Sequence, residues 1–252
     1  MNHSKEIFNQ MLVEVERGLG RPVAVFDLDS TLFDVSPRTQ NILREFLALP
    51  QIRKDFAAEV EFLRNLVILP QDWGLRQGVE RSGLKSTEIF YRALREYWRK
   101  NFFSSDFMHF DRPYDGAIEY VQALAAKNIE IFYLTGRDEE NMKAGTLRVL
   151  AHWGFPLLSA HTHLMMKPIK GSVDDAEFKE IELRKLVQKH LAATATSTEA
   201  PSIWFFENEP IIIRRIVDAG LPIKVVWIDT THSGRAAPPT GLPIIQIDGW
   251  QF

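Results

Sequence analysis

Residues 23–34 read VAVFDLDSTLFD, and four apolar residues there run straight into Asp27. Asp29 follows two positions later, then Ser30 and Thr31. An aspartate after a strand is commonly a turn or cap residue, and that suffices for one of them. Two carboxylates so close repel each other unless a proton or a cation intervenes. Two more stretches end in polar groups. IEIFYLTG (129–136) delivers Thr135 and Gly136, with Arg137 next, and IWFFEN (203–208) delivers Glu207 and Asn208. Thr135-Gly136 is compatible with plain turn chemistry, and Asn208 or Glu209 with a cap before Pro210. Glu207 is harder to explain, because an acid rarely follows an aromatic-apolar run without a partner.

Phosphate monoester hydrolysis is a reaction that such a set could perform. It is among the slowest uncatalysed reactions, with enzymatic accelerations of up to about 10²¹-fold. One route divides it into two displacements through a phosphorylated carboxylate. That route needs an ionised nucleophilic acid, a second acid to protonate the leaving oxygen and then activate water, and a cation. Asp27 and Asp29 supply the two acids. Mg²⁺ suits them, since it prefers oxygen ligands at about 2.0–2.1 Å and keeps several waters. Glu207 could complete the metal's carboxylates, and Thr135 with the N–H groups near Gly136 could bind phosphate oxygens. A lysine would offset the remaining charge.

These residues must be positioned by a scaffold. The valine-rich run 23–27 suits a central strand. Beyond residue 110 the pattern alternates. Helix is expected over 113–127, strand over 129–136, helix over 138–153, strand over 161–167 and helix over 175–191. Strand then follows over 203–208, helix from Pro210 to about Gly220, and strand over 223–229. Alternation with apolar strands implies a parallel sheet covered on both faces, whose ligands sit beyond the carboxyl ends of the strands. The small, polar segment 192–202 reads as a loop or a fraying helix end. Between about 36 and 110 no convincing strand appears. Three amphipathic helices there are marked by Ile42–Leu47, Phe56–Val67 and Ile89–Trp98, the last capped by Ser86 or Thr87. A loop-rich middle holds Pro70, Gly74, Gly78 and Gly83.

Composition sets the limits. The chain has 252 residues, 45% of them hydrophobic, so one large domain or a core with an attachment is expected. The formal net charge of −3 gives no support to a nucleic-acid or anionic-membrane partner. There is no cysteine, which excludes disulfides and thiolate metal sites. Residues 1–18 lack the features of a secretory signal, and Ile7, Met11, Leu12 and Val15 recur at helical spacing. No apolar run approaches the roughly 18 residues of a membrane span. A soluble, cytoplasmic protein is expected. A dinucleotide-binding alternative would want G-x-G-x-x-G after the first strand, and residues 27–36 contain no glycine.

In these motifs the sequence resembles the haloacid dehalogenase (HAD) superfamily of phosphohydrolases. VFDLDSTL matches hydrophobic residues followed by D-x-D-x-T, FYLTGR a strand ending in Ser or Thr, and FFENE the acidic pair after the last core strand, here Glu-Asn instead of Asp-Asp. The resemblance implies a three-layer α/β/α Rossmann-like core with a parallel sheet, from 1–35 and 111–252, and a helical cap inserted at 36–110. It implies Asp27 as nucleophile, Asp29 as general acid/base lending its backbone carbonyl to Mg²⁺, and Thr31 supporting the loop. Thr135, Gly136 and Arg137 would bind the substrate phosphate, and Glu207 and Asn208 the metal. The motif lysine would be Lys179, with Lys167 in reserve. In the cap, Trp73, Tyr91, Tyr97, Trp98, Arg92 and Arg95 are candidate substrate contacts, though most such residues form a cap's own core or solvated face. A phosphorylated small molecule is the implied substrate. Phosphotransfer, a polynucleotide 3′-phosphatase activity or a non-catalytic binding role are the alternatives.

Overall fold

The computed structural model describes residues 3–18, 20–157, 159–169, 173–193 and 201–251. Its helices, in chain order, are α1 (His3–Glu16), α2 (Ser36–Ala48), α3 (Pro50–Asp55), α4 (Ala57–Leu63), α5 (Gly74–Ser82), α6 (Glu88–Phe102), α7 (Ala117–Ala126), α8 (Glu139–Trp153), α9 (Asp175–Ala193) and α10 (Pro210–Asp218). The chain divides into two compact units. One comprises Met1–Phe33, Pro113–Glu140 and Leu150–Phe252, the other Asp34–Arg112 and Asn141–Val149.

The first unit is built on a six-stranded sheet. Its strands are β1 (Val23–Phe26), β2 (Glu130–Asp138), β3 (Thr162–Lys167), β4 (Ile203–Glu207), β5 (Lys224–Ile228) and β6 (Ile245–Ile247). Their order is β3-β2-β1-β4-β5-β6, and every neighbouring pair is parallel. Parallel neighbours need long crossovers, which are the helices the alternation predicts. The order reverses between β1 and β4, and the carboxyl edge at such a switch point is where open α/β sheets bind ligands.

The sheet is covered on both faces because both sets of alternating side chains are apolar. Val23, Val25, Ile203 and Phe205 pack on one face against Phe178, Leu183 and Val187 of α9 and Ile213 of α10. Their chain neighbours Phe26 and Phe206 stack at 4.6 Å, and Trp250 and Tyr120 join that aromatic group. Register then places the acids. Val25 pairs with Phe205 and Phe26 with Phe206, and the Asp27 N–H donates to the Phe206 carbonyl at 3.0 Å. One residue further, Asp27 and Glu207 emerge side by side. By alternation they share the face of Val25 and Phe205, on which α9 lies.

One detail differs from the sequence expectation, and a second lies only partly within the described residues. β6 lies in a proline-flanked stretch, LPIIQID, too short to signal a strand. The expected loop or frayed end over 192–202 overlaps the end of α9, which runs to Ala193, and residues 194–200 lie outside the described residues.

The second unit is helical, with a core of Leu43, Phe46, Leu63, Val79, Phe90 and Leu94. Phe90 makes edge contacts with Phe46 and Phe56, its centroid 5.9 and 5.3 Å from theirs. Thr87 caps α6 by accepting the Phe90 N–H at 3.3 Å. A buried ion pair, Arg38 with Asp111, ties the start of α2 to the end of the long segment. The stretch read as loop-rich contains a helix, α5. Gly74 and Gly83 stand at its ends, with φ of +71° and +76°, so they punctuate the helix without breaking it. Gly78, inside it, is there for close approach: a Cβ would lie 2.5 Å from Ile68 Cδ1. Among the described residues no helix is long and apolar enough to cross a membrane.

Candidate active site

The loop after β1 carries Asp27 and Asp29, and β4 carries Glu207. Between the first and the last of these comes Lys179 from α9. Asp174 starts that helix, its carboxylate accepting the Ala176 N–H at 2.9 Å. Lys179 falls in the second turn, facing the sheet beside Phe178. Its ammonium donates to Asp27 Oδ1 at 2.6 Å and to Glu207 Oε2 at 2.7 Å, and all three side chains are buried. Glu207 Oε1 accepts the N–H groups of Asn208 and Glu209 at 2.9 and 3.0 Å.

The electrostatics follow from two buried carboxylates sharing this ammonium. Burial pushes the Asp27 carboxyl up, more than Lys179 pulls it down. Burial likewise raises Glu207 to about 7, against the pull of Lys179 and reinforced by Asp27. Burial works against the Lys179 ammonium, yet the two acids outweigh it and hold its pKa above the ordinary lysine range. The trio carries surplus negative potential, which a further cation would relieve.

The other predicted residues gather at the same sheet edge. Thr135 is buried in β2, where the pairing with β3 shifts register before the strand ends at Asp138, and its hydroxyl accepts the Arg137 N–H at 3.3 Å. The buried Arg137 guanidinium forks onto Asp29, with Nε to Oδ2 at 3.2 Å and Nη2 to Oδ1 at 2.5 Å. Asn208 bridges two segments: Oδ1 accepts the Thr31 hydroxyl at 3.1 Å, and Nδ2 donates to the Thr231 carbonyl at 2.6 Å. Lys167 pairs with Asp175 at the start of α9. Nothing in the sequence singles out Asp175, because an acid in the first turn of a helix is ordinary. Its carboxylate lies over Gly136, where an added Cβ would stand 2.8 Å from Oδ2. A glycine between a strand-end threonine and an arginine was the available signal.

Oxygen donors of the kind Mg²⁺ takes are therefore present in the Asp27 and Glu207 carboxylates, the Asn208 amide and the backbone of the loop. Among the described residues no three His, Cys, Asp or Glu side chains form a ready cation cluster. Asp27 and Glu207 both turn to Lys179 and Asp29 to Arg137. The donor chemistry and the surplus negative potential fit a magnesium ion.

A family model described as haloacid dehalogenase-like hydrolase matches residues 22–193. The chain belongs to that family. This HAD-like hydrolase shares its fold with a Clostridium difficile protein named as a candidate phosphatase, at a TM-score of 0.56 and 13% identity over 90% of this chain and 94% of that one. A Haemophilus somnus protein named as a candidate phosphoglycolate phosphatase aligns at a TM-score of 0.49 and 15% identity, over 90% and 94% of the two chains. No curated protein matches the sequence.

In the helical unit of this HAD-like hydrolase, several candidate contacts serve its own packing. The Tyr91 hydroxyl donates to Leu84 O at 2.7 Å, and the Tyr97 ring lies 5.5 Å from that of Phe46. Trp98 Nε1 donates to Thr39 at 3.4 Å. Arg92 is exposed, as is Arg95, which pairs with Glu88. Trp73 is 40% exposed.

Proposed function

We propose that this hydrolase is a Mg²⁺-dependent phosphatase that cleaves a phosphorylated small molecule through an aspartyl-phosphate. One observation carries this reading: Lys179 bridges Asp27 and Glu207 at the carboxyl edge of the β1–β4 switch point. Two buried acids of raised pKa sharing one ammonium are poor structural glue, but they suit a site that receives a cation and an anion together.

The roles follow. An oxygen of Asp27 attacks phosphorus as the bond from phosphorus to the ester oxygen breaks, and Asp29 gives its proton to the leaving oxygen. Asp29 then takes a proton from water, whose oxygen attacks the same phosphorus. The aspartyl–phosphorus bond breaks, returning the Asp27 carboxylate and inorganic phosphate. Lys179 keeps Asp27 in place and offsets charge on the transferring group. In the resting site Arg137 holds the Asp29 carboxylate by its two-point fork, and Asp29 takes up a proton, releasing one arm of that fork, before it acts as the acid. Thr135, the Gly136 N–H and Arg137 are the groups that bind phosphate oxygens. Asp27, the Asp29 carbonyl, Glu207 and Asn208 are the oxygen donors that would hold the ion. When bound, Mg²⁺ lowers the repulsion between the phosphate dianion and Asp27. The helical unit is the cap that selects the substrate. With no cysteine to require an oxidising compartment, the cytoplasm is the proposed location.

The test is phosphate release from p-nitrophenyl phosphate. Turnover with Mg²⁺ that EDTA stops and added Mg²⁺ restores is expected. Binding of phosphate esters without any release would point to a non-catalytic member of the fold.

A further inference from the structure

The loop bearing the acids turns through Ser30, whose φ is 63°. L-residues avoid that left-handed region for steric reasons, and a serine held there must be held by its surroundings. Part of the hold is local. Leu28 O accepts the N–H groups of Thr31, Leu32 and Phe33, and Ser30 N–H donates to Phe33 O at 2.7 Å. These bonds use the amide side of the turn.

The carbonyl side is met from far away in sequence. The Thr230 hydroxyl donates to the Ser30 carbonyl. The Trp250 indole N–H donates to the Thr31 carbonyl at 3.1 Å. The Thr31 side chain donates to Asn208, which in turn donates to the Thr231 carbonyl. Trp250 is fully buried, its ring among those of Phe26, Phe206 and Tyr120. Both Thr230 and Trp250 lie outside residues 22–193, the stretch matched by the family model.

We propose that the segment after β5 is a clamp on the catalytic loop, with Thr230 and Trp250 as positioning residues. By fixing the 30–31 and 31–32 peptide planes they hold Ser30 in its left-handed conformation. That conformation sets where the preceding residue, Asp29, presents its carboxylate and carbonyl. Both act through the loop's main chain, by their bonds to the Ser30 and Thr31 carbonyls. The proposal rests on the reading of Asp27 and Asp29 as the reacting acids.

Two readouts test it. Thr230→Val removes the hydroxyl at nearly constant volume, Thr230→Ser keeps it, and Trp250→Phe removes the indole donor while keeping a ring. In the p-nitrophenyl phosphate assay, T230V and W250F are each expected to lower kcat about tenfold, the scale of a small misplacement of reacting groups. KM should stay within about twofold of wild type, and T230S should retain wild-type kcat. Amide hydrogen exchange gives a readout independent of turnover. Uptake in a peptide spanning 27–33 should rise in T230V and W250F, with the rest of the sheet unchanged. The clamp is overturned if loop exchange stays at the wild-type level. It is equally overturned if T230S is as impaired as T230V, or if uptake rises uniformly, which would mean a loss of stability alone. A wild-type protein that releases no phosphate would refute the phosphatase reading, while loop exchange would still decide for or against the clamp.

Discussion

Lys179 and Lys167 sit at the same end of the sheet, yet their partners differ: two buried acids for Lys179 and the half-exposed Asp175 for Lys167. Removing the Lys179 charge, as in Lys179→Met, leaves Asp27 and Glu207 buried without their cation. Losing one partner of a buried pair costs about 3–5 kcal/mol, so urea denaturation should show a loss of that order and turnover should vanish. Lys167 pairs with a carboxylate that is 53% exposed, and Lys167→Ala should cost at most about 1 kcal/mol. A dead K167A beside a normal K179A would reverse the assignment. Glu207 adds a pH signature. Its folded pKa, about 7, lies above the ordinary glutamate value, so the folded state binds more protons than the unfolded one between about 4.5 and 7. The metal-free protein should therefore lose stability as pH rises through that window, relative to Glu207→Gln. Thermal melts of both proteins across the window check this, and a wild-type slope equal to that of E207Q would contradict it. That these polar residues gather at one edge of the sheet was legible in the sequence, because acids at the ends of apolar strands conflict with burial. Which partner each one takes was not. The fork of Arg137 onto Asp29 joins residues 108 positions apart, a pairing that only the sheet order creates.

Strand and helix identities in the first unit followed from periodicity, and β1, β2, β4 and α9 fall within a few residues of expectation. The register of β1 on β4 was not readable from either strand, yet it puts Asp27 beside Glu207. The helix α5 shows why local punctuation misleads. Its glycines read as breaks, but two end the helix and the third, Gly78, lets Ile68 approach. Gly136 is the corresponding case at the site. With Asp175 Oδ2 only 2.8 Å from where an alanine Cβ would stand, Gly136→Ala overpacks the end of β2 at a cost of about 1–3 kcal/mol. Asp175→Ala should relieve that clash, so G136A/D175A should be more stable and more active than G136A. A double-mutant cycle on melting temperature and kcat checks this, and strictly additive effects would refute it.

The two units depend on different kinds of core. The sheet unit buries apolar side chains on both faces. The helical unit combines the aromatic cluster around Phe90 with the buried Arg38–Asp111 pair. Asp111→Ala should cost about 3–5 kcal/mol by stranding the Arg38 charge. Hydrogen exchange should locate that loss in residues 36–110, and equal loss throughout the sheet would contradict it. For the whole chain, the central claim is that Asp27 carries the phosphoryl group. The measurement is kcat of Asp27→Asn for p-nitrophenyl phosphate with saturating Mg²⁺, alongside circular dichroism to verify the fold. A drop of at least roughly 10³-fold with the fold intact is predicted; turnover near the wild-type rate would contradict the account.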